Sequence, residues 1–123
     1  MIKVLIIEPD NDIRENIVEI LSLEGFLVSN AGTGNEGLAM AILFLPNVIL
    51  CNIVTYSLNK NELSGKLRKN PTTANIPLIL ITSQCEKRGL RKRIEMNSSE
   101  YLVKPFDAGE MIKAIKFYSD KIK

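Results

Sequence analysis

The sequence is short of the features that mark secreted, membrane-spanning or multidomain proteins. Its 123 residues hold two cysteines, Cys51 in an apolar run and Cys85 beside a charged stretch. That usage argues against a disulfide framework and fits a reducing, cytoplasmic compartment. No apolar run approaches the roughly 18 to 20 residues of a membrane span. The opening MIKVLII meets a carboxylate at Glu8 and lacks both the length and the small-residue cleavage site of a secretory signal. There is no internal repeat, low-complexity tract or linker. The length suits one domain over 1–123, with a single core and no output domain.

Net charge is also small, +2, but it is unevenly spread. Residues 1–61 hold seven acids and three bases, and residues 62–123 hold seven acids and thirteen bases. The chain has an acidic half followed by a basic one.

What is present is a regular alternation of two periods. Residues 3–7, KVLII, form an apolar strand, and Asp10 or Asn11 can cap a helix that carries Ile13, Ile17, Ile20 and Leu21 on one face. Gly25 ends that helix. A short strand over 26–29 follows, then a helix over 34–44 on Leu38, Ile42 and Leu43, and a third strand over 47–51. A helix over 59–69, patterned by Leu63 and Leu67, stops at Asn70-Pro71. LILIT at 78–82 reads as strand four, 86–96 as a helix on Leu90 and Ile94, and 101–103 as strand five. Pro105 and Asp107 then start a last helix with Met111, Ile112 and Ile115 on its apolar face. Five strand–helix units in succession imply an α/β fold, a parallel sheet with helices on both faces.

Open parallel sheets place chemistry outside the carboxyl ends of their strands. Those ends carry Glu8, Pro9 and Asp10 after the first strand, Asn52 after the third, Thr82 and Ser83 after the fourth, and Lys104 and Pro105 after the fifth. The run VILCNIV therefore raises a question, because so apolar a strand stops on an amide.

The acidic group after LII, the run IPLILITS and above all YLVKPF at 101–106 resemble the receiver domains of two-component response regulators along nearly the whole chain. The resemblance implies a five-stranded (βα)5 doubly wound, flavodoxin-like fold with strand order 2-1-3-4-5. It also implies an aspartate that takes a phosphoryl group from a phosphohistidine, with Mg²⁺ held by nearby acids. Phosphoryl transfer rests on positioning and charge neutralisation, which explains the residue types involved. On that pattern Lys104 matches the phosphate-contacting lysine, Thr82 the switching hydroxyl and Tyr101 the switching aromatic. Read without the resemblance, the three are a surface lysine, a strand-end hydroxyl and an edge-strand aromatic.

Two positions depart from the pattern. Glu8 matches the first acid, but Pro9 stands where the main metal-binding aspartate is usual, and Asp10 lies one residue further on. Asp10 either substitutes as a ligand or caps the first helix, and its cap preference favours the second. Asn52 occupies the acceptor position, where a neutral amide cannot form the acyl phosphate of an aspartate. With Asn52 and Pro9 uncharged, Glu8 opposite Lys104 leaves the pocket near charge balance without metal. The following loop, IVTYSLNKN, lacks the proline and glycine usual there. Asn97, in place of a usual glycine, reads as turn chemistry.

The expectation is thus a degenerate receiver without a phosphoacceptor, acting as a phosphorylation-independent interaction module and not as an enzyme. No cofactor is expected, and at most weak Mg²⁺ at Glu8 and Asp10. The basic run KRGLRKR at 87–93 reads as a solvated helix face or, with Arg88, Arg91, Lys92 and Tyr101, as a docking face for an acidic signalling protein. Like charges there oppose two-fold pairing through that face, so a monomer is expected. A sequence pI near 8.6 and the lack of a base-reading motif argue against nucleic acid. The alternatives are a working receiver that accepts phosphate from a histidine kinase through an altered site, such as Thr55 or Ser57, and a flavin-binding protein of flavodoxin-like architecture. For the latter, EPDND is a poor phosphate loop.

Overall fold

The computed structural model describes residues 1–52, 61–82, 100–103 and 107–120. The loop after Asn52, the helix expected over 86–96 with Arg88, Arg91 and Lys92, and the segment 104–106 lie outside the described residues. Strands β1 (Lys3–Ile7), β2 (Leu27–Ala31), β3 (Val48–Asn52), β4 (Leu78–Thr82) and β5 (Glu100–Val103) form one parallel sheet in the order β2-β1-β3-β4-β5. Helices α1 (Asn11–Leu23), α2 (Gly34–Phe44), α3 (Asn61–Lys69) and α4 (Ala108–Asp120) are placed among them. This is the fold class and strand order expected from the sequence.

The strands read as continuous apolar runs because both faces of the sheet are covered. Val4, Ile6, Val48, Leu50, Ile79 and Ile81 pack with Ile17 and Leu21 of α1 and Met111 and Ile115 of α4. Their alternates Leu5, Ile7, Ile49, Cys51, Leu78 and Leu80 pack with Ala41 of α2 and Leu63 and Leu67 of α3. Strand periodicity of two thus sorts one run of residues into two cores.

Capping follows the sequence signals. Asp10 Oδ1 accepts from Ile13 N at 3.0 Å, and Asp107 Oδ1 accepts from Glu110 N at 2.8 Å. Gly25, at φ +97°, closes α1: its N–H donates to Ser22 O and Phe26 N–H donates to Leu21 O, the paired bonds of a Schellman ending. Those bonds correct the second strand, expected over 26–29. Phe26 spends its N–H on the helix end and its ring in the core, so β2 begins at Leu27.

Other expectations about packing change as well. Ile13 is exposed, while Ile17 and Leu21 are buried. On α2 the buried face is Gly34, Gly37 and Ala41, not Ile42 and Leu43. A β-carbon on Gly37 would collide with Ile7 Cδ1 and lie 2.9 Å from Ile7 Cγ1. The helix therefore rests its backbone on β1, with Leu38 and Met40 half-buried against the core and Ile42 and Leu43 turned outward.

Candidate functional site

The site lies where β1 and β3 end side by side. Ile7 pairs with Cys51 in the parallel register, which brings the next residues, Glu8 and Asn52, together. Asn52 is the last residue of β3, not the first beyond it as the sequence suggested. Its Nδ2 donates to Glu8 Oε1 at 2.9 Å, in a pair of which Glu8 is 2% and Asn52 8% exposed.

Glu8 is held from every side. Its N–H donates to Ala31 O at 3.0 Å, which continues the ladder with β2, and Asp10 N–H donates to Glu8 Oε2 at 3.0 Å. Its carbonyl accepts from Arg14 Nη1 at 2.7 Å. Burial of a carboxylate is costly unless donors replace its water. Here two N–H donors do so, one at each oxygen, and bonds to an ionised acceptor are the stronger kind.

Asp10 and Pro9 settle into different roles. Asp10 commits its Oδ1 to capping α1 and contributes its backbone N–H to Glu8. Pro9 has no side-chain donor or acceptor. Asp10 Oδ1 makes the helix cap that its residue type favours. Among the described residues no group of three His, Cys, Asp or Glu is arranged to hold a metal ion.

Arg14 is the contributor that sequence reasoning missed. Besides the Glu8 carbonyl, its guanidinium donates to Asn11 Oδ1 and lies against Gly32, where a β-carbon would come within 3.1 Å of Nη1. It fastens the turn after β1 to the first turn of α1. One signal was available: Arg14 is one of only three bases in residues 1–61.

Cys51 adds an electrostatic marker beside the pair. It is a free thiol, fully buried, and its pKa is pushed up to about 12 by burial and then by the charge on Glu8. The unfolded chain ionises this thiol near pH 9 while the folded chain keeps its proton. Its contribution to stability is therefore complete below about pH 9 and is lost as pH rises toward about 12, with a slope of about 1.4 kcal/mol per pH unit. Cys51→Val is expected to flatten that part of the alkaline stability curve, as read by urea unfolding from pH 8 to pH 11. An unchanged slope would show that other groups set it.

The remaining expected residues are only partly placed. Thr82 is the last residue of β4 and pairs with Val103, while Tyr101 pairs with Leu80 within β5. Lys104 is outside the described residues, as is the basic run 87–93.

Comparison with known proteins agrees with the fold. The sequence profile of the response regulator receiver domain matches residues 4–116. The chain is 27% identical to the DNA-binding dual master transcriptional regulator RpaA of Synechocystis sp. over 94% of its own length and 48% of the relative's. It is 28% identical to protein PilH of Pseudomonas aeruginosa over 94% of its own length and 95% of that protein's. The chain thus spans about half the length of some curated relatives that it matches and nearly all of others. A solved response regulator from Desulfuromonas acetoxidans superposes with a TM-score of 0.85 at 21% identity, with both chains covered completely. No described helix is long and apolar enough to cross a membrane. With the doubly wound sheet, the Glu8–Asn52 pair at its carboxyl edge and a profile match over residues 4–116, the chain belongs to the response regulator receiver domain family.

Proposed function

We propose that this receiver domain is a pseudo-receiver, one that is not phosphorylated and works as a phosphorylation-independent protein-interaction module in two-component or phosphorelay signalling. The observation that carries the reading is the buried Glu8–Asn52 hydrogen bond. An aspartate at position 52 would be an acceptor for both phosphoryl group and metal. The amide instead is a donor, and it spends that donor on the carboxylate that would otherwise face a cation.

The donor set fits Mg²⁺ poorly for the same reason. Magnesium demands near-octahedral oxygen coordination and relies on carboxylates for it. Both Glu8 oxygens already accept from N–H groups, one Asp10 oxygen caps α1, and the Pro9 side chain supplies no oxygen. No catalytic residue and no cofactor are assigned. The partner proposed is a signalling protein with an acidic surface, drawn to the basic residues Arg88, Arg91 and Lys92 together with Tyr101. Charge complementarity of that kind speeds encounter and sets register.

Incubation with acetyl phosphate and Mg²⁺, followed by intact-mass spectrometry under neutral conditions, tests the reading. The expected result is no phosphoryl adduct on the wild-type chain. An adduct on Thr55, Ser57 or any other residue near the pocket would instead favour a working receiver with a displaced acceptor, fed by a histidine kinase.

A further inference from the structure

We propose that the outer face of α2 is a self-association surface on which a second copy of this chain docks, helix against antiparallel helix about a two-fold axis. Between Glu36 and Lys60 the sequence has no charged residue. On α2 the residues Ala39, Ile42 and Leu43, spaced i, i+3 and i+4, form an outward stripe, with Leu43 80% and Ile42 42% exposed. On α1 and α4 the exposed apolar residues Ile13, Leu23 and Phe117 stand among charges, Asp12, Glu15 and Glu19 on the first helix and Lys113 and Lys116 on the second. The outward stripe of α2 reverses the usual polarity of a surface helix.

The chemistry of the surface selects its occupant. A charged partner surface would lose its hydration against this stripe without gaining a counter-charge. A second copy brings a matching apolar stripe and, through symmetry, makes each contact twice. An antiparallel pairing that sets Ala39 of each copy opposite Leu43 of the other places a small side chain against a large one. The same register brings Glu36, at the start of one helix, to the end of the other. There the ammonium of Lys3 donates to Phe44 O at 3.2 Å and lies 5.4 Å from the centroid of its ring. Two Glu36–Lys3 attractions then flank the apolar centre, and the two helix dipoles run in opposite directions.

The stripe on α2 does not include the basic run at 87–93, whose like charges oppose pairing. It also lies on the other side of the sheet from Glu8 and Asn52, whose positions in their strands alternate with those facing α2. An 11-residue helix is only about 16 Å long, so the contact is smaller than the roughly 800 Å² per partner of a standard interface. The dimer is accordingly weak and depends on concentration.

Sedimentation equilibrium of the whole chain from about 1 μM to about 1 mM covers the affinities of such contacts. The mass is expected to rise from monomer toward dimer across that range. Leu43→Glu, at a site too exposed to disturb the core, is expected to stay monomeric throughout with its thermal unfolding unchanged. Glu36→Lys is expected to weaken association at least tenfold, and adding Lys3→Glu to the same chain to restore it. A wild-type mass that remains monomeric at the highest concentration overturns the proposal. So does association of Leu43→Glu or Glu36→Lys as strong as that of the wild type.

Discussion

Asn52→Asp is expected to lower stability by about 3–5 kcal/mol at pH 7, the scale on which a buried charge is left without its partner. The substitution keeps shape and size but removes the donor that now lies 2.9 Å from Glu8 Oε1. Two carboxylates would face each other in a site where Glu8 is 2% exposed. Such a pair holds one proton more tightly than either acid would alone, so an apparent pKa of the pair is raised in the fold. A raised folded value means that stability is retained below the unfolded carboxylate range, near pH 4, and is lost as pH rises through the raised value. Urea unfolding of wild type and variant at pH 4 and pH 7 is the check. A difference that does not grow with pH would show that charge is not what Asn52 relieves.

The same variant also tests the proposed loss of the metal site. With Pro9→Asp added, the two introduced carboxylates and Glu8 would together offer oxygens at the ends of β1 and β3, and Mg²⁺ is expected to stabilise the double variant by binding its folded state. Wild type is expected to show no such gain. A double variant that ignores Mg²⁺ would mean that charge loss alone did not disable the pocket.

Gly37→Ala is expected to destabilise the fold by about 1–3 kcal/mol even though alanine is the better helix former. The new methyl group would fall on Ile7, which is completely buried between β2 and β3 and cannot move aside freely. Ile7→Val removes the nearest atom, Cδ1. Alone it is expected to cost about 0.5–1.5 kcal/mol through the void it leaves. Together the two changes are expected to cost less than the sum of the singles, because each fills or vacates the same space. Additive costs in urea unfolding would place the strain elsewhere than the contact between α2 and β1.

Much of this architecture was legible because period and punctuation agree. The apolar runs at 3–7, 48–51 and 78–82, the Asp10 and Asp107 caps and the Gly25 stop each have a local cause in the residues themselves. The misplacements have non-local causes. Burial of α2 depends on how closely its backbone approaches β1, so Gly37 and Ala41 outrank Ile42 and Leu43 for reasons that helix periodicity does not contain. Phe26 left the second strand because a helix end claimed its N–H. At the site, Glu8 and Asn52 could be named from strand ends, but their mutual bond required the register of β1 on β3. Arg14 was missed because its bond to Glu8 is to the backbone carbonyl, which no side-chain motif announces.

An amide NMR titration of the wild-type chain with Mg²⁺ and then beryllofluoride, a mimic of an aspartyl phosphate, tests the central claim most directly. The expected result is no shift at Glu8, Asp10, Asn52 or Thr82, because both Glu8 oxygens already accept from N–H donors and position 52 is an amide. Saturable shifts at those residues that spread to Lys104 and Tyr101 would contradict it, showing a pocket that still takes metal and phosphate mimic and still switches.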